Sequence, residues 1–177
     1  MLLNLNRIRC FSQVGRQCDS KPQNISIAPH CESKGTVLHE IGHALGFRHE
    51  HTRPHRFVHI SLDNIQDRSQ SSFRKKTNHE VDSLGEPYDY NSIMHYSNSD
   101  FAKNAYIDTI TPVQRCPRPE IGQRVKPSVG DVTQMNKLYN CPCRRHYFTL
   151  FNTISFLFSV YHPVFCKCNR EVGNNSP

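Results

Sequence analysis

"HEIGHALGFRHEHTRPHR", His39 to Arg56, gathers five of the chain's eleven histidines into eighteen residues. Residues four apart stand one above the other on an α-helix, because 3.6 residues complete a turn. His39 and His43 therefore share one face. Leu38, Ile41 and Leu45 recur at three and four on a different face. The segment thus reads as an amphipathic helix buried along that apolar stripe, with the histidines off it. Gly42 lies mid-helix, where glycine costs roughly 1 kcal/mol relative to alanine, a penalty that points to close packing or a functional constraint. Gly46 offers a stop, since glycine tolerates the left-handed conformation that ends many helices. Past that turn the chain can bring His49 back to the first pair.

Three imidazoles meeting at one point supply three of the four ligands zinc prefers and leave the fourth position for water. Glu40 follows the first histidine, so its carboxylate can lie beside the metal without occupying it and take a proton from the water. The full pattern H-E-x-x-H-x-x-G-x-x-H, here His39, Glu40, His43, Gly46 and His49, is a metzincin signature completed by a downstream Met-turn. "SIMHY", Ser92 to Tyr96, supplies that turn with Met94. These residues predict one bound Zn2+.

Further stretches, "CFSQVGR", "EVDSLGEPYDYNSIMHY", "DTITP", "EIGQR" and "GDVTQMNKLYNCP", extend the pattern. From about Cys10 to Cys143 the chain resembles the astacin family of zinc metalloendopeptidases, and most of all its tolloid branch. The resemblance implies an α+β, zincin-like catalytic domain over residues 1–143 with an active-site helix and a Met-turn, its N-terminal part missing, and an unassigned tail over 144–177. His39, His43 and His49 would bind zinc, Glu40 would act as general base and acid, and Met94 would form an apolar floor beneath the metal. Tyr96 would be a further zinc ligand that swings away to stabilise the oxyanion, a role suited to a phenol that ligates through oxygen or donates a hydrogen bond. Glu50 would contact the new N-terminus made by propeptide removal. Arg124 in "EIGQR" matches a tolloid position lining the pocket just beyond the scissile bond, where a fixed cation favours an acidic side chain. The implied partner is a protein or peptide substrate, a matrix protein included, and the implied location is extracellular.

The chain also departs from that pattern. Where tolloids read T-R-P-D-R-D, it reads Thr52, Arg53, Pro54, His55, Arg56 and Phe57, replacing two carboxylates, neither of them a metal ligand. The propeptide, the N-terminal helix and the first strands that the family places before this point are not found in the sequence. That leaves an alternative expectation, a fragment that binds zinc or a partner without cleaving.

Eight cysteines in so short a chain point to an oxidising compartment. The resemblance implies a Cys10–Cys31 bond, and it matches Cys141 to a cysteine whose partner is not found in the chain. Cys18 and Cys116 lie outside the tolloid pattern; their pairing together is one option, with connectivity open. "CPC" and "CKC", Cys141 to Cys143 and Cys166 to Cys168, have C-x-C rather than the C-x-x-C spacing usual for a second zinc site.

At 177 residues, 36% hydrophobic and 10% aromatic, the chain suits one domain with a core. The net charge of +7 is scattered, without a basic block or an aromatic-interleaved stripe, so it reads as solvated surface rather than a nucleic-acid site. Tyr147 to Phe165 lacks Asp, Glu, Lys and Arg and nears the ~20 residues of a membrane span, but Asn, Thr, Ser, His and Pro interrupt it, and a membrane partner is not expected. "MLLNLNRIRC" lacks the continuous apolar stretch and small-residue cleavage site of a secretory leader. "NIS" at Asn24 and "NNS" at Asn174 are glycosylation sequons.

The remaining layout follows from periodicity. "LLNLN" and "NISIA" alternate as short strands, the second being, on the resemblance, the cleft's edge strand, to which an extended peptide adds. "RFVHISL" predicts another strand, "SQSSFRKK" a helical turn, and Pro112 to Pro127 a loop. Ser128 with Asp131 makes a capping-box-like start to a helix whose stripe is Val132, Met135, Leu138 and Tyr139 and which ends near Asn140.

Overall fold

The turn after Ala44 sets the architecture. In the computed structural model, which describes residues 2–4, 9–17 and 22–141, with Leu2–Asn4 described by backbone alone, helix α1 (Lys34–Ala44) ends where Gly46 adopts φ +105°. Ser33 caps the other end, its side chain accepting from the Thr36 amide, which satisfies one of the helix's orphan donors. The tail 144–177, the apolar run from Tyr147, Cys18 and Cys143 lie outside the described residues.

Before α1 stands a three-stranded sheet of β1 (Leu2–Asn4), β2 (Phe11–Ser12) and β3 (Asn24–Ser26), ordered β1-β3-β2. β1 pairs parallel with β3, and β2 pairs antiparallel on its other side, Phe11 opposite Ser26 and Ser12 opposite Ile25. β3 is therefore the central strand, not an edge, which corrects the expectation for "NISIA". The cause is local: the Cys10–Cys31 disulfide and a hydrogen bond from Ser26 Oγ to the Arg9 carbonyl, 2.9 Å, hold the segment leading into β2 against β3. β2 then lies against α1 at one edge of the sheet, with β1 at the other.

After α1 come a 3-10 turn (Glu50–Thr52), β4 (Val58–Ile60), 3-10 turns at Leu62–Asn64 and Asp67–Phe73, β5 (Ile110–Pro112) and α2 (Val129–Leu138). β4 and β5 form an antiparallel ribbon with Ile60 opposite Ile110. Val58, Ile65, Phe73, Tyr96 and Ile110 pack as one buried cluster, with Ile60, Tyr88, Tyr90 and Ile121 against it. Each such side chain contributes roughly 1.5–3 kcal/mol on burial. Tyr96, an expected site residue, is thus also a core residue.

The buried face of α1 is not the apolar stripe. Gly35, His39, Glu40, Gly42 and His43 are buried, whereas Leu38, Ile41 and Leu45 are only half-buried. Two close approaches explain the inversion. A Cβ on Gly42 would sit 2.6 Å from Met94 Sδ, and one on Gly35 would sit 1.6 Å from the Arg124 carbonyl oxygen. Backbone and Met-turn press on the polar face, so the histidines go inward with the glycines. α2 shows the same tendency: its buried residue is Asp131, while Val132 and Met135 are half-buried and Leu138 and Tyr139 are exposed.

Cys116 is a free, exposed thiol, which rules out its pairing with Cys18. Cys141 is itself disulfide-bonded, so it has a partner after all and is removed from any thiolate set with Cys143. Among the described residues no helix is long and apolar enough to cross a membrane.

Gly35→Ala improves helix propensity but forces a methyl into the Arg124 backbone. We expect denaturant unfolding to report a loss of about 3 kcal/mol or more. A variant as stable as the native chain would mean that the Arg124 segment yields freely.

Candidate active site

Helix register places His39 and His43 on one face, and the Gly46 turn supplies both the third histidine and a fastening for the second. The chain folds back so that the Phe47 carbonyl lies 2.8 Å from His43 Nδ1. Two residues later His49 reaches the cluster: its Nε2 lies 3.1 Å from His43 Nε2 and 3.3 Å from His39 Nε2. His39 Nδ1 is 2.8 Å from the carbonyl of Ile93, in the Met-turn. A carbonyl only accepts, so both Nδ1 atoms carry the proton and both Nε2 atoms present lone pairs.

Burial is the main reason that all three imidazoles are held neutral, His39 down to about 3 and His43 and His49 also lowered. Buried lone pairs facing one another at this spacing suit a cation. Zinc–nitrogen bonds of 2.0–2.1 Å at tetrahedral angles put neighbouring ligand nitrogens about 3.3 Å apart. His39, His43 and His49 offer ligand atoms within 4.8 Å of one another, the geometry of a metal site. Backbone carbonyls on the far ring nitrogens are the outer-shell partners that orient histidine ligands.

Glu40 is buried beside them, and its Oε2 has no hydrogen-bond partner. Burial pushes its carboxyl up to about 7, while the Arg124 charge and the Ser12 backbone pull the other way. β2 therefore reaches the site through its main chain.

The Met-turn is fastened from behind. Asp131 of α2 accepts from Ser92 Oγ at 2.6 Å, from the Ile93 amide at 2.9 Å and from the Ser128 amide at 2.8 Å. Its own amide donates to Ser128 Oγ, completing the capping box. Met94, fully buried, lies against Gly42, and its carbonyl accepts from the Glu50 amide at 3.0 Å. Glu50 Oε1 accepts from Arg53 at 2.6 Å and from the Asp89 amide at 2.9 Å.

Tyr96 packs its ring 4.3 Å from that of His49, and burial raises its phenol to about 12, so it stays protonated. Arg124 donates to the His95 carbonyl at 2.9 Å, and its charge acts on His39, His43, His49, Glu40 and Tyr96. His39, Glu40, His43, His49, Met94, Tyr96 and Arg124 thus gather in one region, while the Glu50 side chain faces Arg53 and the Asp89 amide. Sequence reasoning missed the pairing of half-buried Tyr88 with buried His95, hydroxyl to Nε2 2.6 Å, and the buried His51. The H-E-H run was visible, but nothing in its spacing said that His51 faces inward.

Comparison with known proteins agrees with this geometry. The family described as Astacin, a peptidase family, matches residues 2–140. The chain belongs to the astacin family. It is 49% identical over 137 residues to bone morphogenetic protein 1 of Xenopus laevis, covering 75% of this chain and 19% of that protein. It is equally 49% identical to human tolloid-like protein 2, covering 75% of this chain and 13% of that one. The chain therefore spans a fifth or less of the length of these relatives. Among solved structures it superposes with TM-score 0.71 and 39% identity on high choriolytic enzyme 1, a hatching enzyme zinc-protease from the medaka Oryzias latipes, covering 79% of this chain and 68% of that one. The astacin domain is thus a mixed helix and strand, zincin-like fold carrying the three histidines on and just after its site helix.

Asp131→Ala would strip the acceptor from three donors at the Met-turn and the α2 start. The expected loss is about 3 kcal/mol, combining a cap with buried unmet donors. Thermal or denaturant unfolding measures it, and a loss under about 1 kcal/mol, the worth of a cap alone, would mean that α2 does not hold the turn.

Proposed function

We propose that the chain is the catalytic domain of a secreted zinc-dependent endopeptidase that hydrolyses peptide bonds in extracellular proteins. The observation that carries this reading is Glu40 Oε2, a buried carboxylate oxygen without a partner, next in sequence to the first of three converging histidines. An unpaired buried acceptor costs about 1–3 kcal/mol, and a structural helix gains nothing from it. A general base needs that oxygen free.

In this reading His39, His43 and His49 hold one zinc ion through Nε2. Bound zinc supplies Lewis acidity and lowers the pKa of a water toward about 7. Glu40 would take a proton from the attacking water and pass it to the departing amine. Tyr96 would be a further group able to hold the ion, and its phenol would donate a hydrogen bond to the developing oxyanion. Met94 closes the floor beneath the histidines. Arg124 offers a cation to an acidic side chain just after the scissile bond, which favours matrix or other proteins carrying Asp there. Glu50 is the group that a new N-terminus made by propeptide removal would reach.

The purified full chain should bind one zinc and cleave peptides, and Glu40→Gln should keep the zinc while turnover falls by about a thousandfold. Retained turnover in that variant would overturn the assignment. A native chain that binds zinc and does not cleave would favour a zinc-binding fragment instead.

Substrates with Asp or Ala after the scissile bond test Arg124. We expect a preference of about tenfold for Asp in kcat/KM that Arg124→Leu abolishes. An unchanged preference would remove Arg124 from recognition.

A further inference from the structure

We infer that His51 is a positioning residue, whose flat ring, anchored by one N–H, fixes both Tyr96 and His49. The inference rests on the function proposed above and extends it to a residue that the reaction does not use.

His51 has no exposed surface. Its ring stacks on Tyr96, centroids 4.2 Å apart and planes 29° off parallel, and lies 5.5 Å from the His49 ring at 26°. Phe73 supports it from another side at 5.2 Å. His51 Nε2 is 3.1 Å from the Ser72 carbonyl. A carbonyl only accepts, so Nε2 carries a proton. Nδ1 is buried without a partner.

That unpartnered nitrogen is the clue. If packing alone mattered, phenylalanine would give the same flat surface with no unmet polar atom. If the tie to Ser72 alone mattered, an amide side chain would supply the N–H. Histidine gives both at once, and the unmet Nδ1 is what that combination costs. The tie runs from the turn Glu50–Thr52 to the turn Asp67–Phe73, so the ring is fastened outside the site.

Both residues it touches are constrained as a result. His51 lies two residues past His49, on a turn closed by the Thr52 amide and hydroxyl bonding to the His49 carbonyl at 3.1 and 2.7 Å. Anchoring the ring sets the direction in which His49 leaves that turn. Tyr96 is enclosed by His49, His51, Phe73 at 5.6 Å and Phe101 at 5.5 Å. Of these four, the His51 ring is the one nearest to parallel with the phenol, so it sets the plane in which Tyr96 turns.

The test uses the full chain with His51→Leu, His51→Phe and His51→Asn, each checked for folding by near-ultraviolet circular dichroism and thermal melting. Zinc affinity is read by chelator competition, and kcat and KM on one peptide. Leu fills the volume without a plane: we expect one zinc bound with Kd raised about tenfold, and kcat lowered about tenfold at nearly unchanged KM. Phe restores the plane and lacks the tie: Kd and kcat should fall between the native and Leu values, and the melting temperature should drop. If Leu does not fold, Asn, which keeps an N–H without a ring, takes its place with the same expected losses. A folded Leu or Asn variant with native Kd and kcat overturns the inference, as does a Phe variant as impaired as Leu. A native chain that binds zinc without cleaving defeats the proposed reaction while the Kd series still decides His51. A native chain that takes no zinc overturns both.

Discussion

The contact on which the site depends is the one between Gly42 and Met94. With no side chain at 42, the sulfur of Met94 lies where a Cβ would come within 2.6 Å of it, and the helix backbone sits down on the Met-turn. At that separation the Ile93 carbonyl reaches His39 Nδ1, and the Met94 carbonyl reaches the Glu50 amide. One close approach thus orients the first histidine and ties down the residue that follows the third. Side chains on both surfaces would hold helix and turn too far apart for either hydrogen bond.

The opposing support is polar. Asp131 is a buried carboxylate with acceptor positions filled by Ser92, Ile93 and Ser128, so its charge is met by donors rather than by a cation. This arrangement lets the start of α2 serve as an anchor for a turn nearly forty residues earlier. The same chain leaves Glu40 Oε2 without a hydrogen-bond partner.

Much of this was legible before any coordinates. The i, i+4 spacing of His39 and His43, the Gly46 turn and the return of His49 follow from helix geometry and glycine's freedom at positive φ. The helix start at Ser128 and the strands at Leu2–Asn4, Asn24–Ser26 and Val58–Ile60 were also readable. The errors share one cause. Periodicity places residues on faces but does not say which face meets the rest of the protein. For α1 the stripe of Leu38, Ile41 and Leu45 was the obvious candidate, yet the glycine and histidine face is buried. For β3, alternation gave a strand, and only the pairing of β2 on its far side made that strand central. For Cys116, no local pattern distinguishes a free thiol from a paired one.

The sequence by itself determined the three-histidine cluster, the glutamate beside it and the family, because those depend on residue types at fixed spacings along a helix and a turn. Tertiary structure alone decided the protonation of those histidines, the freedom of Glu40 Oε2 and the burial of His51. Each of these depends on which carbonyl, ring or backbone arrives from a distant segment. Ile93 is fifty-four residues from His39, and Ser72 is twenty-one from His51. Local spacing carries no information about such partners, since only packing of the whole chain brings them within hydrogen-bond distance.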